Sequence, residues 1–336
     1  MMKYNFHIGV DVSKTKLDFA VVDRLLVKLI KHFVIPNTKE GILDLLETLT
    51  ESGITNGEVL VCLENTGVYS RHLCSVLANE KIDHWIADGL EIKLSKGIVR
   101  TKNDRVDALE IAMYSIRNID KLKLYSAPHT EIIKLKLLFA EREKATKALL
   151  LFKSTNENLL FFSEDTFRTV ASLNLKIVNE IKAHCKSVES HMLEIVNRNE
   201  LLDKQYKLIT SVTGIGKITA LYFIITTNAF NYFANWRKYA CYAGVAPFEY
   251  RSGTSVLKNP KVHKFGNKKM KAMLRMCAMT AITRDAQIKV YYKKKMSEGK
   301  HSRLVLNNIK CKLIARVFAV VKRKTLFVNI HGFANS

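Results

Sequence analysis

An α/β domain, then a helical coiled-coil arm, then a mainly α, basic C-terminal domain is the order the 336-residue sequence predicts. Three observations carry this. Short β-rich runs alternate with helical segments before residue 125, an apolar 3-4 spacing runs from about 129 to 200, and compact segments with glycine turns follow residue 204. The corresponding domains are 1–125, 126–203 and 204–336.

Residues 5–12 and 16–23 are apolar β-rich runs separated by Ser13-Lys14-Thr15, the pattern of a hairpin. A third run, Leu29 to Val34, completes a meander. Asn37 offers a helix N-cap ahead of Leu43, Leu45, Leu46 and Leu49, and "VLVCLE" (59–64) follows as a buried strand. A helix near 69–80, a strand around Asp83 to Ala87 and a helix from about Asp104 complete the domain. Three meander strands followed by alternating helix and strand is the order of a ribonuclease H-like α/β domain.

In the arm, Leu135, Leu138, Arg142, Ala145, Leu149, Phe152, Asn156 and Leu159 share one spacing, as do Ile177, Ile181, His184, Val188, His191 and Ile195. This predicts a helical hairpin or coiled coil that dimerises, with His184 and His191 as seam residues rather than metal ligands.

Four prolines, 14 glycines and 48% apolar residues describe an ordered globular chain. Apolar runs are short and Met1-Met2-Lys3-Tyr4 lacks a signal-peptide core, so the expectation is a soluble, cytoplasmic, nucleoid-associated protein with no membrane partner. Six cysteines without a C-x-x-C pair read as reduced structural thiols. The net charge of +23 is concentrated: residues 251–336 hold 21 basic and 2 acidic side chains, whereas residues 1–125 hold 17 of each. So dense a single-sign field calls for a polyanion, and nucleic acid is the expected one.

Asp11 stands inside an apolar strand, where an unpaired ionised carboxylate is too costly to keep. Glu64 ends "VLVCLE", and "KNDRVDA" (102–108) sets Asp104 and Asp107 on one helix face. Four acids meeting in one cleft suit hard divalent cations, and a pair of Mg²⁺ ions ~4 Å apart serves phosphodiester chemistry. For Asp104 the plainer reading is a helix cap, and for Glu64 a strand end in solvent.

Farther on, "SVTGIGKITA" has the form of a helix-hairpin-helix turn, making Gly214, Gly216 and Lys217 candidate phosphate contacts or simply a tight turn. In "HKFGNKKMKAMLRMCAMTAI", Lys264, Lys268, Lys269, Lys271 and Arg275 interleave with apolar residues, so that one helix face packs and the other meets nucleic acid. Phe265, Tyr291 and Tyr292 are either base-stacking or core aromatics. Tyr291-Tyr292 lacks the Arg…His-x-x-Arg set that a tyrosine recombinase requires.

Five stretches, "IGVDVSKTKLDFAV", "LENTGVYSRHLCSVL", "IKLSKGIVRTKNDRVDALEIAMY", "VTGIGKITA" and "YAGVAPFEYRSGTS…HKFGNKKMKAMLR", resemble in the same order the DEDD insertion-sequence transposases, the bridge-RNA-guided DNA recombinases. The resemblance implies a RuvC-like N-terminal domain with Asp11, Glu64, Asp104 and Asp107 as metal-binding acids, a coiled-coil arm, and a C-terminal transposase domain with Ser252 as nucleophile. Asn103 stands where the family commonly has threonine. It further implies DNA ends and target as substrates, a non-coding guide RNA, and a dimer or tetramer joining the metal site of one protomer to the serine of another. Locally, Arg251 would stabilise charge on an attacked phosphate, Gly253 would let backbone approach, and Ser255 is an alternative nucleophile. The competing functions are a junction-resolving endonuclease with water as nucleophile, and a nucleic-acid-binding protein whose RuvC-like domain is inactive.

Overall fold

A computed structural model describes residues 3–65, 67–95, 103–126, 129–154, 164–252, 256–262 and 266–328, with backbone alone for 248–252 and 256–262. The chain divides into two compact units, Met1–Ala127 and Pro128–Ser336, rather than three.

In the first unit, β1 (Phe6–Val12), β2 (Lys16–Asp23) and β3 (Lys28–Pro36) form the antiparallel meander, followed by α1 (Lys39–Glu51), β4 (Val59–Glu64), α2 (Arg71–Asn79), β5 (His84–Ala87), α3 (Gly89–Ser95) and α4 (Asp104–Arg117). The sheet order is β3-β2-β1-β4-β5, with β4 parallel to both β1 and β5. This is the RNase H/RuvC-like arrangement. The β1–β2 turn is built as its residues suggest: Ser13 Oγ donates to the Lys16 carbonyl at 2.8 Å and accepts from the Lys16 amide at 3.2 Å. The N-cap of α1 differs from the expectation. Thr38 accepts from the Gly41 amide, while Asn37 donates to the carbonyls of Ser13 and Tyr69 and so ties the hairpin turn to the loop before α2.

Alternation splits the sheet into two faces. Ile8, Val10, Leu17, Phe19, Val21, Val61 and Leu63 pack with Ile42, Leu45, Leu73 and Leu77 of α1 and α2. The opposite face of β1 shows His7, Gly9 and Asp11 to α4. His7 Nδ1 lies 2.7 Å from Ser115 Oγ, and a Cβ at Gly9 would stand 2.0 Å from the Ala108 carbonyl oxygen and 2.3 Å from the Ala112 nitrogen. A side chain there is sterically excluded, so Gly9 lets helix and strand touch backbone to backbone.

In the second unit, α5 (Thr130–Ser154) and α6 (Glu164–Asn197) form a helical hairpin. Arg142 pairs with Glu189 at 2.5 Å, and His184 faces Glu141 at 3.8 Å, a cross-helix position rather than a metal site. Its base does not stand apart as a separate domain: Ile132, Leu135, Phe139, Val188, Met192 and Val196 join the core of the helices that follow. These are α7 (Glu200–Ser211), α8 (Lys217–Thr227), α9 (Trp236–Tyr242), α10 (Lys268–Arg284), α11 (Ala286–Ser297) and α12 (Ser302–Arg323), interrupted by the hairpin β6 (Pro247–Ser252)–β7 (Val256–Val262). No helix among the described residues is long and apolar enough to cross a membrane.

Candidate active site and nucleic-acid interface

Gly9 fixes the site's geometry. With α4 seated on β1 at that point, its first turn overhangs the strand end two residues on, where Asp11 points to the same face. Asn103 caps α4 by accepting from the Val106 amide at 2.8 Å, which leaves Asp104 and Asp107 in the first turn, where the helix dipole favours negative charge. The Asn at this position thus supplies the capping acceptor. Glu64 is the last residue of β4, and the β1–β4 register pairs Val10 with Leu63, so Glu64 lies one step beyond, level with Asp11. The acids collect at the carboxyl ends of adjacent parallel strands, where open α/β sheets place their sites. Gly89 makes room for Glu64: a Cβ there would sit 2.1 Å from Glu64 Oε1.

Half-buried Asp11 is pushed above the usual carboxylate range by burial, and then by the charges of Asp107, Asp104, Asp18 and Glu64. The three other acids picked out from the sequence therefore all act on Asp11, and a fifth joins them. Asp18 faces Asp11 directly across the β1–β2 hairpin and is almost fully buried, with Lys16 Nζ at 3.2 Å and His32 Nε2 at 3.4 Å. The hairpin register could have revealed it, because pairing around Ser13–Thr15 sets position 18 opposite 11. Lys16 Nζ also reaches Asp104 Oδ2 at 2.6 Å, so one ammonium spans β2 and the start of α4.

Among the described residues no group of three or more carboxylate, imidazole or thiolate side chains stands close enough to hold one metal ion. The donor set nevertheless fits a hard divalent cation. It is all carboxylate oxygen, and Asp11 is lifted by burial and then by like charges that a bound cation would offset.

In the second unit, Ser252 ends β6 and pairs with Val256 across the β6–β7 hairpin; Arg251 pairs with Leu257. Both are described for backbone only, and Gly253, Ser255, Lys264 and Phe265 lie outside the described residues. The foot of this hairpin is pinned by a close backbone crossing, where a Cβ on Gly266 would stand 2.3 Å from Gly244 Cα and the Asn267 amide donates to the Tyr242 carbonyl at 2.7 Å.

The expected turn between α7 and α8 is present, but its two glycines differ. Gly214 has φ +96°, and a Cβ there would meet the Cys277 carbonyl at 2.8 Å; its role is conformation and contact with α10. Gly216 caps α8 with open space where a side chain would be, next to exposed Lys217, so this end remains accessible to a phosphate. On α10, Lys268 and Arg275 are exposed and Lys271 half-buried. Lys269 corrects the sequence expectation. It pairs with Glu143 of α5 and lies over the rings of Phe139 (4.0 Å) and Tyr222 (5.2 Å), and burial pulls its ammonium below the usual lysine range. It anchors α10 to the helical hairpin instead of facing nucleic acid. Tyr291 and Tyr292 pack against the core, with Lys312 over the Tyr291 ring at 4.4 Å.

Two family models match the chain, one described as a transposase of the DEDD IS110 type over residues 8–161 and one as the transposase IS116/IS110/IS902 family over residues 206–293. The chain is 22% identical over 333 residues to the pilin gene-inverting protein of Moraxella lacunata, covering 96% of this chain and 97% of that one. It is 27% identical over 120 residues to an insertion element IS110 uncharacterized 43.6 kDa protein of Streptomyces coelicolor, covering 36% and 29% respectively. A solved T. thermophilus RuvC in complex with Holliday junction substrate aligns at 14% identity and TM-score 0.28, over 36% of this chain and 98% of that one; the fold assignment rests on strand order instead. Matched by the same family over both 8–161 and 206–293, the chain belongs to the IS110-family transposases and is a DNA transposase.

Proposed function

We propose that this transposase cuts and exchanges DNA strands through a covalent phosphoserine link, at a site where Asp11, Glu64, Asp104 and Asp107 hold Mg²⁺, two ions per site, under the direction of a structured bridge RNA. The observation that carries the metal half of this reading is the convergence of β1, β4 and the first turn of α4 on one sheet end, where Asp11 is raised by burial and then by four neighbouring carboxylates. Divalent ions bound there would neutralise that crowding and stabilise charge on the reacting phosphate. The chain's own part is to fix the acids: Gly9 sets the height of α4, Asn103 caps it, and Gly89 makes room for Glu64.

Ser252 is the proposed nucleophile, by its position in the family motif. Its Oγ forms a bond to phosphorus as the bond to the departing deoxyribose oxygen breaks, and that oxygen takes up a proton. Attack by the hydroxyl of a second DNA end later releases the serine. Arg251 is suited to the charge on the phosphate. Exposed Leu150, Leu151, Leu173 and Leu175 toward the far end of the α5–α6 hairpin support self-association through the arm into the dimer or tetramer that strand exchange needs. Base pairing within the RNA would carry the choice of sequence, the protein reading shape and backbone.

Denaturing gels of full-length protein with element-end DNA, Mg²⁺ and the RNA flanking the gene test the reading. A protein–DNA adduct lost in Ser252→Ala but kept in Ser255→Ala is expected. Cleavage without any adduct would replace it with hydrolysis by water, as in a junction-resolving endonuclease, and cleavage unaffected by omitting RNA would remove the guide.

A further inference from the structure

Lysine 310 lies on the core face of α12, in the same stripe as Ile309, Leu313, Ile314 and Val317, and is only 8% exposed. It has no hydrogen-bond or ion-pair partner among the described residues. Burial acts on it first, then two positive charges, opposed only by the neighbouring Cys311 thiol. Lys271 and Arg275, one turn apart on α10, join burial in lowering its ammonium below the usual lysine range. Helices α10 and α12 share one core through Leu274, Cys277, Ala278 and Leu313. The three cations grade outward from buried Lys310 through half-buried Lys271 to exposed Arg275.

The stem of Lys310 is buried while its ammonium reaches water, held beside two other cations with no anionic partner among the described residues. The surrounding charges show that the fold pairs cations where it uses them for packing. Lys269, on the same helix, has Glu143 and two aromatic rings; Arg316, on the same helix as Lys310, has Asp285 at 2.6 Å. Residues 251–336 hold two acids, Asp285 and Glu298, and both are engaged elsewhere, with Arg316 and Lys295. The region's own acids therefore leave the three cations unbalanced and open to an external anion.

We propose that Lys310, Lys271 and Arg275 form a phosphodiester-binding pocket between α10 and α12 that holds one backbone phosphate of the nucleic acid bound by this domain. The inference rests on reading the basic C-terminal region as the nucleic-acid-binding part of the transposase. Phosphate is the class that fits: a compact anion with several acceptor oxygens can take bonds from two ammonium groups and a guanidinium together. Such a contact carries no sequence information, since the phosphate is the same at every step of the chain.

Full-length protein and its Lys310→Met and Lys310→Arg variants provide the test. Anisotropy titrations with duplex DNA and, separately, with the structured flanking RNA are run over a range of salt, and melting is followed without nucleic acid. Lys310→Met should reduce the slope of log K against log salt by about 0.9, which amounts to roughly fivefold weaker binding near ~0.15 M salt if the curves meet at ~1 M. The same variant should melt at or above the wild-type temperature, and Lys310→Arg should keep the slope. The polymer whose slope changes identifies the source of the phosphate. An unchanged slope with both polymers, or a lowered melting temperature with unchanged affinity, overturns the proposal and makes Lys310 a packing residue. Should Lys310→Met fail to fold, Lys271→Gln and Arg275→Gln read the same slope. Wild-type protein that binds neither polymer would instead refute the reading of the domain, a result distinct from either.

Discussion

The acid end of the first unit's sheet and the cation cluster between α10 and α12 are opposites built on the same plan. At one, Asp11 is lifted by burial and four like charges; at the other, Lys310 is lowered by burial and two. Elsewhere the second unit matches its buried charges, as Asp285 with Arg316 and Lys269 with Glu143 show. Like charges gathered together cost stability, which Lys16 offsets only in part at the acid end through Asp104 and Asp18. The fold therefore carries its charge imbalance where a ligand of opposite sign would bind, divalent cations at one place and phosphate at the other.

The largest effect that would sharpen this contrast belongs to Asp11. Asp11→Asn should reduce Mg²⁺-dependent strand cleavage by about 10²–10³-fold, comparable to removing an electrostatic group aimed at a reacting centre. The same change should raise the melting temperature of metal-free protein. The sign follows from the shift: a carboxyl raised on folding holds its proton more tightly in the native state, so its ionisation penalises the fold above the ordinary carboxylate range and not below it. A variant that lost both activity and stability would break the comparison, making Asp11 a structural residue.

Asp285 supplies the opposite control. It is 0% exposed, caps α11 by accepting from the Ile288 amide at 2.9 Å, and holds Arg316. Asp285→Asn keeps a capping oxygen but leaves the guanidinium without its anion, and should cost about 3 kcal/mol in urea unfolding. Equal stability in the variant would mean that paired and unpaired buried charges are not distinguished here.

Much of this was readable from the sequence where local rules decide. Strand ends fell within a residue or two because the β runs are bounded by Ser13–Thr15 and by the end of "VLVCLE", and spacing alone put Asp104 and Asp107 on one face. What stayed hidden depends on the facing element. Lys269 and Lys271 are two residues apart in the same basic run, yet Glu143 and Phe139 claim the first and leave the second near Lys310. Gly9 looked like an ordinary strand glycine until Ala108 and Ala112 lay against it. The helical spacing of residues 129–200 suggested a separate domain, but Phe139 and Met192 bury into the helices that follow, so the arm's base is part of the second unit's core.

His7 tests the face of β1 on which the acid site depends. Burial, and then the Arg24 charge, push it from 6.5 down to about 4, while Ser115 Oγ lies 2.7 Å from its Nδ1. Below pH 6.5 the unfolded chain takes up a proton that the native imidazole refuses, so this contribution to stability is complete above that pH and is lost on acidification. Between pH 7 and 5 the loss should be about 2 kcal/mol, read as the difference in urea-unfolding stability between wild type and His7→Gln. An identical pH slope in the two proteins would show that the imidazole ionises without disturbing the contact between β1 and α4.

Lys16 gives the smallest expected effect and the finest comparison. Its ammonium lies 2.6 Å from Asp104 and 3.2 Å from buried Asp18, and those two hydrogen bonds raise it above the usual lysine range. Being half-exposed, it relieves carboxylate crowding in the metal-free protein at little structural gain. A divalent cation drawn to Asp104 must compete with it. Lys16→Met should therefore tighten Mn²⁺ binding, measured by electron paramagnetic resonance of the free ion, and lower the metal-free melting temperature slightly. If Mn²⁺ instead binds more weakly to Lys16→Met, the lysine organises the acids rather than standing in for their cation, and the two clusters differ in more than sign: the acid site would contain part of its own counter-charge by design, while Lys310 depends wholly on the ligand.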